Sequence, residues 1–155
     1  MKRILAGILL VIGVALFIGT DANAQDEDFG IGFMVGEPTG LAAKKWIGGK
    51  SAFAGGAAWS FVNNSAMVLH LDYLHHNYEA FNVRVEKGKL PFYMGIGGRI
   101  KLDDESRLGA RVPIGVVYVS DEYPLDVFFE VVPLLDLVPE TSFTVNGGIG
   151  LRYYF

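Results

Sequence analysis

Residues 142–155, SFTVNGGIGLRYYF, decide the fold. Taken alternately, they put Phe143, Val145, Gly147, Ile149, Leu151, Tyr153 and Phe155 on one face and Thr144, Asn146, Gly148, Gly150, Arg152 and Tyr154 on the other. Side chains switch sides at every residue only in extended backbone, so a period of two predicts a β-strand. One of its faces is apolar throughout.

The same pattern recurs upstream. Leu125, Val127, Phe129, Val131, Pro133, Leu135 and Leu137 oppose Asp126, Phe128, Glu130, Val132, Leu134 and Asp136. Residues 108–118 and 92–100 repeat it, with Arg111 and Arg99 on their more polar faces. Eight strands are expected, at about 29–36, 41–47, 51–61, 66–76, 90–101, 107–119, 125–137 and 142–155. The separators are turn compositions: Glu37-Pro38-Thr39-Gly40, Gly48-Gly49-Lys50, Asn63-Asn64-Ser65, a longer stretch near 77–89, Asp103-Asp104-Glu105, Asp121-Glu122-Tyr123-Pro124 and Pro139-Glu140-Thr141. The fold class expected is all-β, an antiparallel up-and-down barrel of about eight strands.

Alternation fits a soluble barrel with an apolar inside and equally a transmembrane barrel with an apolar outside. The polar face favours the second. It is rich in glycine and carries isolated charges of both signs, Arg99, Arg111, Glu130 and Arg152, where a solvated sheet carries a dense cover of Lys, Glu, Ser and Thr. Apolar strands of nine or more residues suit a tilted crossing of the hydrocarbon layer. Trp46, Trp59, Tyr73, Tyr118 and Tyr153, near strand ends, are expected to form interfacial girdles. A soluble lipocalin-like barrel remains the architectural alternative.

The beginning of the chain supports export. Lys2 and Arg3 precede an apolar run over residues 4–18, and Ala22-Asn23-Ala24 supplies small residues at a cleavage site. This is the pattern of a Sec signal peptide over residues 1–24, with an apolar core shorter than the roughly 20 residues of a spanning helix. Its removal takes Lys2, Arg3 and Asp21, so 13 basic and 17 acidic side chains fall to 11 and 16 in a single domain at 25–155. An acidic exported domain has no basic stripe for nucleic acid. There is no cysteine, which excludes a disulfide-stapled scaffold and a lipoprotein anchor.

At the C-terminus, Ile149, Leu151, Tyr153 and Phe155 alternate, with an aromatic last residue. This resembles the terminal signature of outer-membrane barrels, which the barrel-assembly machinery reads. Over residues 25–155 the chain resembles the small eight-stranded OmpA/OmpX-type barrels, and outer-membrane-like barrel families of similar length that have no assigned chemistry. The resemblance implies an outer-membrane location in a Gram-negative bacterium, lipid as surroundings, a monomer, and both termini in the periplasm. The connections near 37–40, 63–65, 103–105 and 139–141 are then external. All four are short, where such barrels usually have long external loops.

The candidate site is a cluster of inward charges: Arg99, Arg111, Arg152, Glu130, Asp72 and His70. Across a lumen eight strands around, side chains from opposite walls meet, and a buried charge needs a partner. A salt-bridged plug is the first expectation. His70, Asp72 and His76 share a face, but spacings of two and six residues along a strand span roughly 20 Å, too far for one metal ion. His75 and His76 are expected near the membrane interface. Metal and cofactor are expected to be absent.

A lipid A-modifying enzyme would need a serine beside a histidine. Ser60, Ser65, Ser106, Ser120 and Ser142 sit at strand ends, and none is two residues from a histidine on its own strand. Gly95-Ile96-Gly97-Gly98 and Gly147-Gly148-Ile149-Gly150 lie within strands, so they read as packing and curvature sites and not as phosphate loops. The functional expectation is a non-enzymatic envelope barrel with a structural or interaction role. A narrow solute pore and the lipid-modifying enzyme are the alternatives.

Overall fold

The structure is a computed structural model that describes residues 28–60, 66–83 and 85–155. The expected signal peptide, residues 1–24, lies outside the described residues. Ten strand segments form one antiparallel sheet: β1 Phe29–Glu37, β2 Thr39–Trp46, β3 Ser51–Ser60, β4 Ala66–Asn77, β5 Gly88–Lys89, β6 Phe92–Leu102, β7 Arg107–Arg111, β8 Ile114–Ser120, β9 Leu125–Val138 and β10 Ser142–Tyr154. The sheet closes on itself, with β1 against β10 from Gly30↔Tyr154 to Glu37↔Gly147. Each remaining wall pairs with its neighbour in sequence, as an up-and-down barrel requires.

The ten segments make eight walls. Pro91 and Pro113 lack an amide hydrogen, and each interrupts a strand without ending it. The register of β6 with β7, Gly97↔Arg111, continues unbroken into β6 with β8, Met94↔Ile114, and into β5 with β8, Gly88↔Ser120. The proline carbonyls still accept in the ladder, from Gly95 N to Pro113 O at 2.9 Å and from Val117 N to Pro91 O at 3.1 Å. The strand pattern read from the sequence is therefore the observed one. Phe81 and its neighbours do not lengthen a strand, and β5 continues β6 without adding a hairpin.

Alternation fixes which side of the wall each residue occupies. Phe33, Val35, Leu71, Ile96, Phe129, Val145, Ile149 and Leu151 are exposed on the outer surface. Met34, Val68, Leu74, Tyr93, Val117, Phe128 and Leu134 fill the interior together with charged groups. Of the aromatics near strand ends, Trp59, Tyr73 and Tyr153 are exposed on the outside. Trp46 is not one of them. It shares the inward parity of Lys44, packs on His76 with ring centroids 4.4 Å apart, and stands at the mouth of the barrel nearest the termini.

Candidate functional site: the ion-paired interior

The interior charges form three tiers along the barrel axis. Nearest the termini, Arg152 donates from Nε and Nη2 to the two oxygens of Asp126 at 2.9 and 3.0 Å. Tyr154 donates its hydroxyl to the same carboxylate at 2.6 Å, and Lys44 Nζ lies 3.7 Å from it. Lys44 also reaches His76 Nε2 at 2.9 Å, while His76 Nδ1 faces the Lys50 carbonyl at 3.1 Å. A carbonyl only accepts, so Nδ1 carries the proton and Nε2 accepts from the lysine. His76 is fully buried here, at the terminal end of β4; His75, one residue earlier, is exposed outside.

In the middle tier Arg111 lies between two carboxylates, with Nε 3.0 Å from Asp72 Oδ1 and Nη2 donating to Glu130 Oε1 at 3.3 Å. The Asp72 contact is an ion pair without hydrogen-bond alignment, since neither atom has a partner by angle. Tyr93 donates to the other oxygen of Glu130 at 2.9 Å. His70 Nε2 is 4.0 Å from Asp72 Oδ2, and its Nδ1 has no hydrogen-bond partner among the described residues. In the third tier Arg99 grips Asp136 through Nε and Nη2 at 2.8–3.1 Å.

Charge closes on charge. Among the described residues the buried cations are Lys44, Arg99, Arg111 and Arg152, and the buried carboxylates are Asp72, Asp126, Glu130 and Asp136. An unpaired ion in this environment would cost several kcal/mol, so a balanced set is the arrangement a closed interior can hold. The tiers share their imbalance, because one extra cation beside Asp126 sits above one extra carboxylate beside Arg111. The void between them, lined by Met34, Ala54, His70, Asp72, Glu130 and Arg152 among others, offers about 10 Å³. That is the least room a single water needs.

Glycine makes the pairing possible. Asp72 and Arg111 belong to β4 and β7, and both are in register with Gly97 on the strand between them. Arg99 and Asp136 flank Gly109 in the same way, and Tyr93 and Glu130 flank Gly115. In each case a polar contact crosses over a residue that has no side chain. A Cβ on Gly109 would stand 2.6 Å from Asp136 Oδ1, one on Gly115 2.7 Å from the Tyr93 hydroxyl, and one on Gly97 would collide with Asp72 Oδ1.

All six residues singled out in the sequence line this interior. Sequence reasoning left out Asp126, Asp136, Lys44, Tyr93 and Tyr154, although both aspartates lie on the inward face of a strand whose alternation was clear. Lys44 was harder to find, because Lys45 beside it points outward. The lipid-modifying alternative calls for a serine beside a histidine. Ser60 pairs with Ala66 and His70 with Gly56, which leaves them four positions apart, about 13 Å. Ser60 instead donates to Glu37 at the rim, and Ser65 lies outside the described residues. Among the described residues no three His, Asp or Glu side chains converge as metal ligands.

No protein-family model and no curated protein matches the chain. Among solved structures, it is similar to the N-terminal β-barrel domain of Pseudomonas aeruginosa OprF, with a TM-score of 0.60 at 12% identity over 82% of this chain and 96% of that domain, a likeness that establishes an antiparallel barrel fold.

Proposed function

We propose that the chain is an integral outer-membrane barrel closed along its axis, with a structural or interaction role in the envelope and no catalytic activity. The observation that carries this reading is the inversion of polarity. Among the described residues the interior holds four cations and four carboxylates, while the outer wall exposes Phe33, Leu71, Ile96, Phe129, Phe143 and Ile149. Each such side chain gains ~1.5–3 kcal/mol on leaving water, so an apolar belt around a filled polar centre belongs in hydrocarbon. A lipocalin-like carrier would have the opposite arrangement. Export through the expected signal peptide, assembly through the signature ending in Phe155 and a monomeric state in lipid complete the proposal.

The filled interior separates this reading from a pore. In planar bilayers the refolded protein is expected to give no stable current, and well-resolved conductance steps would overturn closure. The membrane assignment is tested by fractionation with heat-modifiable gel mobility: recovery as a soluble, detergent-independent protein would end it. Lipid A from cells expressing the chain is expected to keep its mass. A mass change reversed by Ser60→Ala or His70→Ala would make the protein an enzyme.

A further inference from the structure

The longest connection of the barrel joins β4 to β5, and its described residues, 78–83 and 85–87, touch the outside of the wall at Phe81 and at Lys87. Phe81 meets Phe92 edge-on, with ring centroids 6.4 Å apart and planes at 76°. Phe92 precedes Tyr93, which points inward and is 1% exposed, so the ring that Phe81 touches belongs to the outer surface. Phe81 and Val83 remain exposed. The far end of the connection is fastened to the same outer surface. Tyr118, outward next to buried Val117, donates its hydroxyl to the Lys87 carbonyl at 3.0 Å, and its ring lies across Gly88. Asp121 N donates to that carbonyl at 3.0 Å, and Lys87 Nζ pairs with Glu122 at 2.9 Å.

These contacts give the connection two characters at once. Glu79, Glu86 and Lys87 are exposed to water, while Phe81 extends an apolar surface that continues through Phe92 and its register partner Val116, and Val83 is an exposed apolar side chain two residues on. Segments of that kind lie in the plane of a membrane interface, with apolar groups entering about 5–10 Å at the headgroup boundary. Tyrosine with its ring on the wall and its hydroxyl toward the rim is oriented as at such a boundary.

We propose that residues 78–83 form a lipid-interface anchor, in which Phe81 and Val83 enter the leaflet at the terminal end of the barrel beside Phe92. The proposal rests on the membrane reading above, so its test must report on both. With Trp46→Phe and Trp59→Phe as background, single probes are introduced as Ile149→Trp on the outer belt and as Phe81→Trp or Val83→Trp on the connection. Each is refolded into phosphatidylcholine vesicles brominated either near the headgroup or deep in the acyl chains, and folding is checked by heat-modifiable mobility.

Ile149→Trp is expected to lose most of its emission to deep bromines, and the connection probes most of theirs to shallow ones. If Ile149→Trp is quenched while the connection probes keep a water-like, unquenched spectrum, the anchor is wrong and the membrane reading stands. Should Ile149→Trp also escape quenching, the membrane reading fails and takes the anchor with it. Val83→Trp leaves the Phe81–Phe92 contact intact and serves if Phe81→Trp does not fold.

Discussion

Arg99 and Asp136 meet two strands apart, directly over Gly109, through a guanidinium fork whose Nη2 lies 2.8 Å from both carboxylate oxygens. The missing side chain on the intervening strand sets the distance. A barrel of eight walls is too narrow to hold long side chains at every inward position, and glycine at the crossing points lets the charged ones reach each other.

The crossing glycines are therefore expected to be intolerant of a single methyl group. Gly109→Ala pushes a Cβ into Asp136 and should destabilise the barrel by about 1–3 kcal/mol. Gly98→Ala is the control, because Gly98 faces outward and its Cβ would meet nothing closer than the Gly109 carbonyl at 3.8 Å. It should stay within about 0.5 kcal/mol of the parent in urea titrations from vesicles. Equal stability of the two variants would show that the crossings are not tightly packed.

Removing one partner of the third tier should cost more than removing both. Arg99→Met leaves a buried carboxylate and Asp136→Leu a buried guanidinium, each at about 3–5 kcal/mol, whereas the double variant should return to within about 1 kcal/mol of the parent. A double-mutant cycle checks this, and additive losses would mean that the two groups act independently.

At the end of the barrel opposite the termini, Lys101 and Arg107 are direct cross-strand partners of like charge. Such pairs are destabilising, so Arg107→Glu should raise the unfolding midpoint in urea by an amount equivalent to about 0.5–1 kcal/mol, and the gain should shrink in high salt. A loss of stability would show that the two cations are held apart by the barrel mouth.

Tyr154 and Phe155 are adjacent but should fail in different assays. Tyr154→Phe removes the 2.6 Å bond to Asp126 and should cost about 1–3 kcal/mol of equilibrium stability. Phe155 is exposed on the outside, touching Phe29 and Tyr153. Phe155→Ala should refold in vitro with stability within about 1 kcal/mol of the parent, while less assembled barrel accumulates in cells. Normal assembly of Phe155→Ala in cells would remove the role given to the terminal signature.

The strands were legible in the sequence because their alternation is local. Which residues share a side of the wall depends only on parity within a strand, so the placing of Phe129 and Glu130 on opposite sides follows from 125–137 alone. Even the two prolines did not obscure the walls, since the register runs through them. Parity holds at the strand ends as well: Trp46 turns inward with Lys44, and His76 with Asp72 and Leu74, at the mouth of the barrel nearest the termini.

By itself the sequence determined eight alternating walls, a greasy side, a sparse ionic side and the absence of cysteine. Which charge meets which was decided only by closure of the barrel. Arg111 finds Asp72 across Gly97, and Lys44 joins Asp126 and His76 from three different strands, because the stagger between walls sets side-chain heights. That stagger is a property of the whole hydrogen-bonded ring, so no single strand carries it.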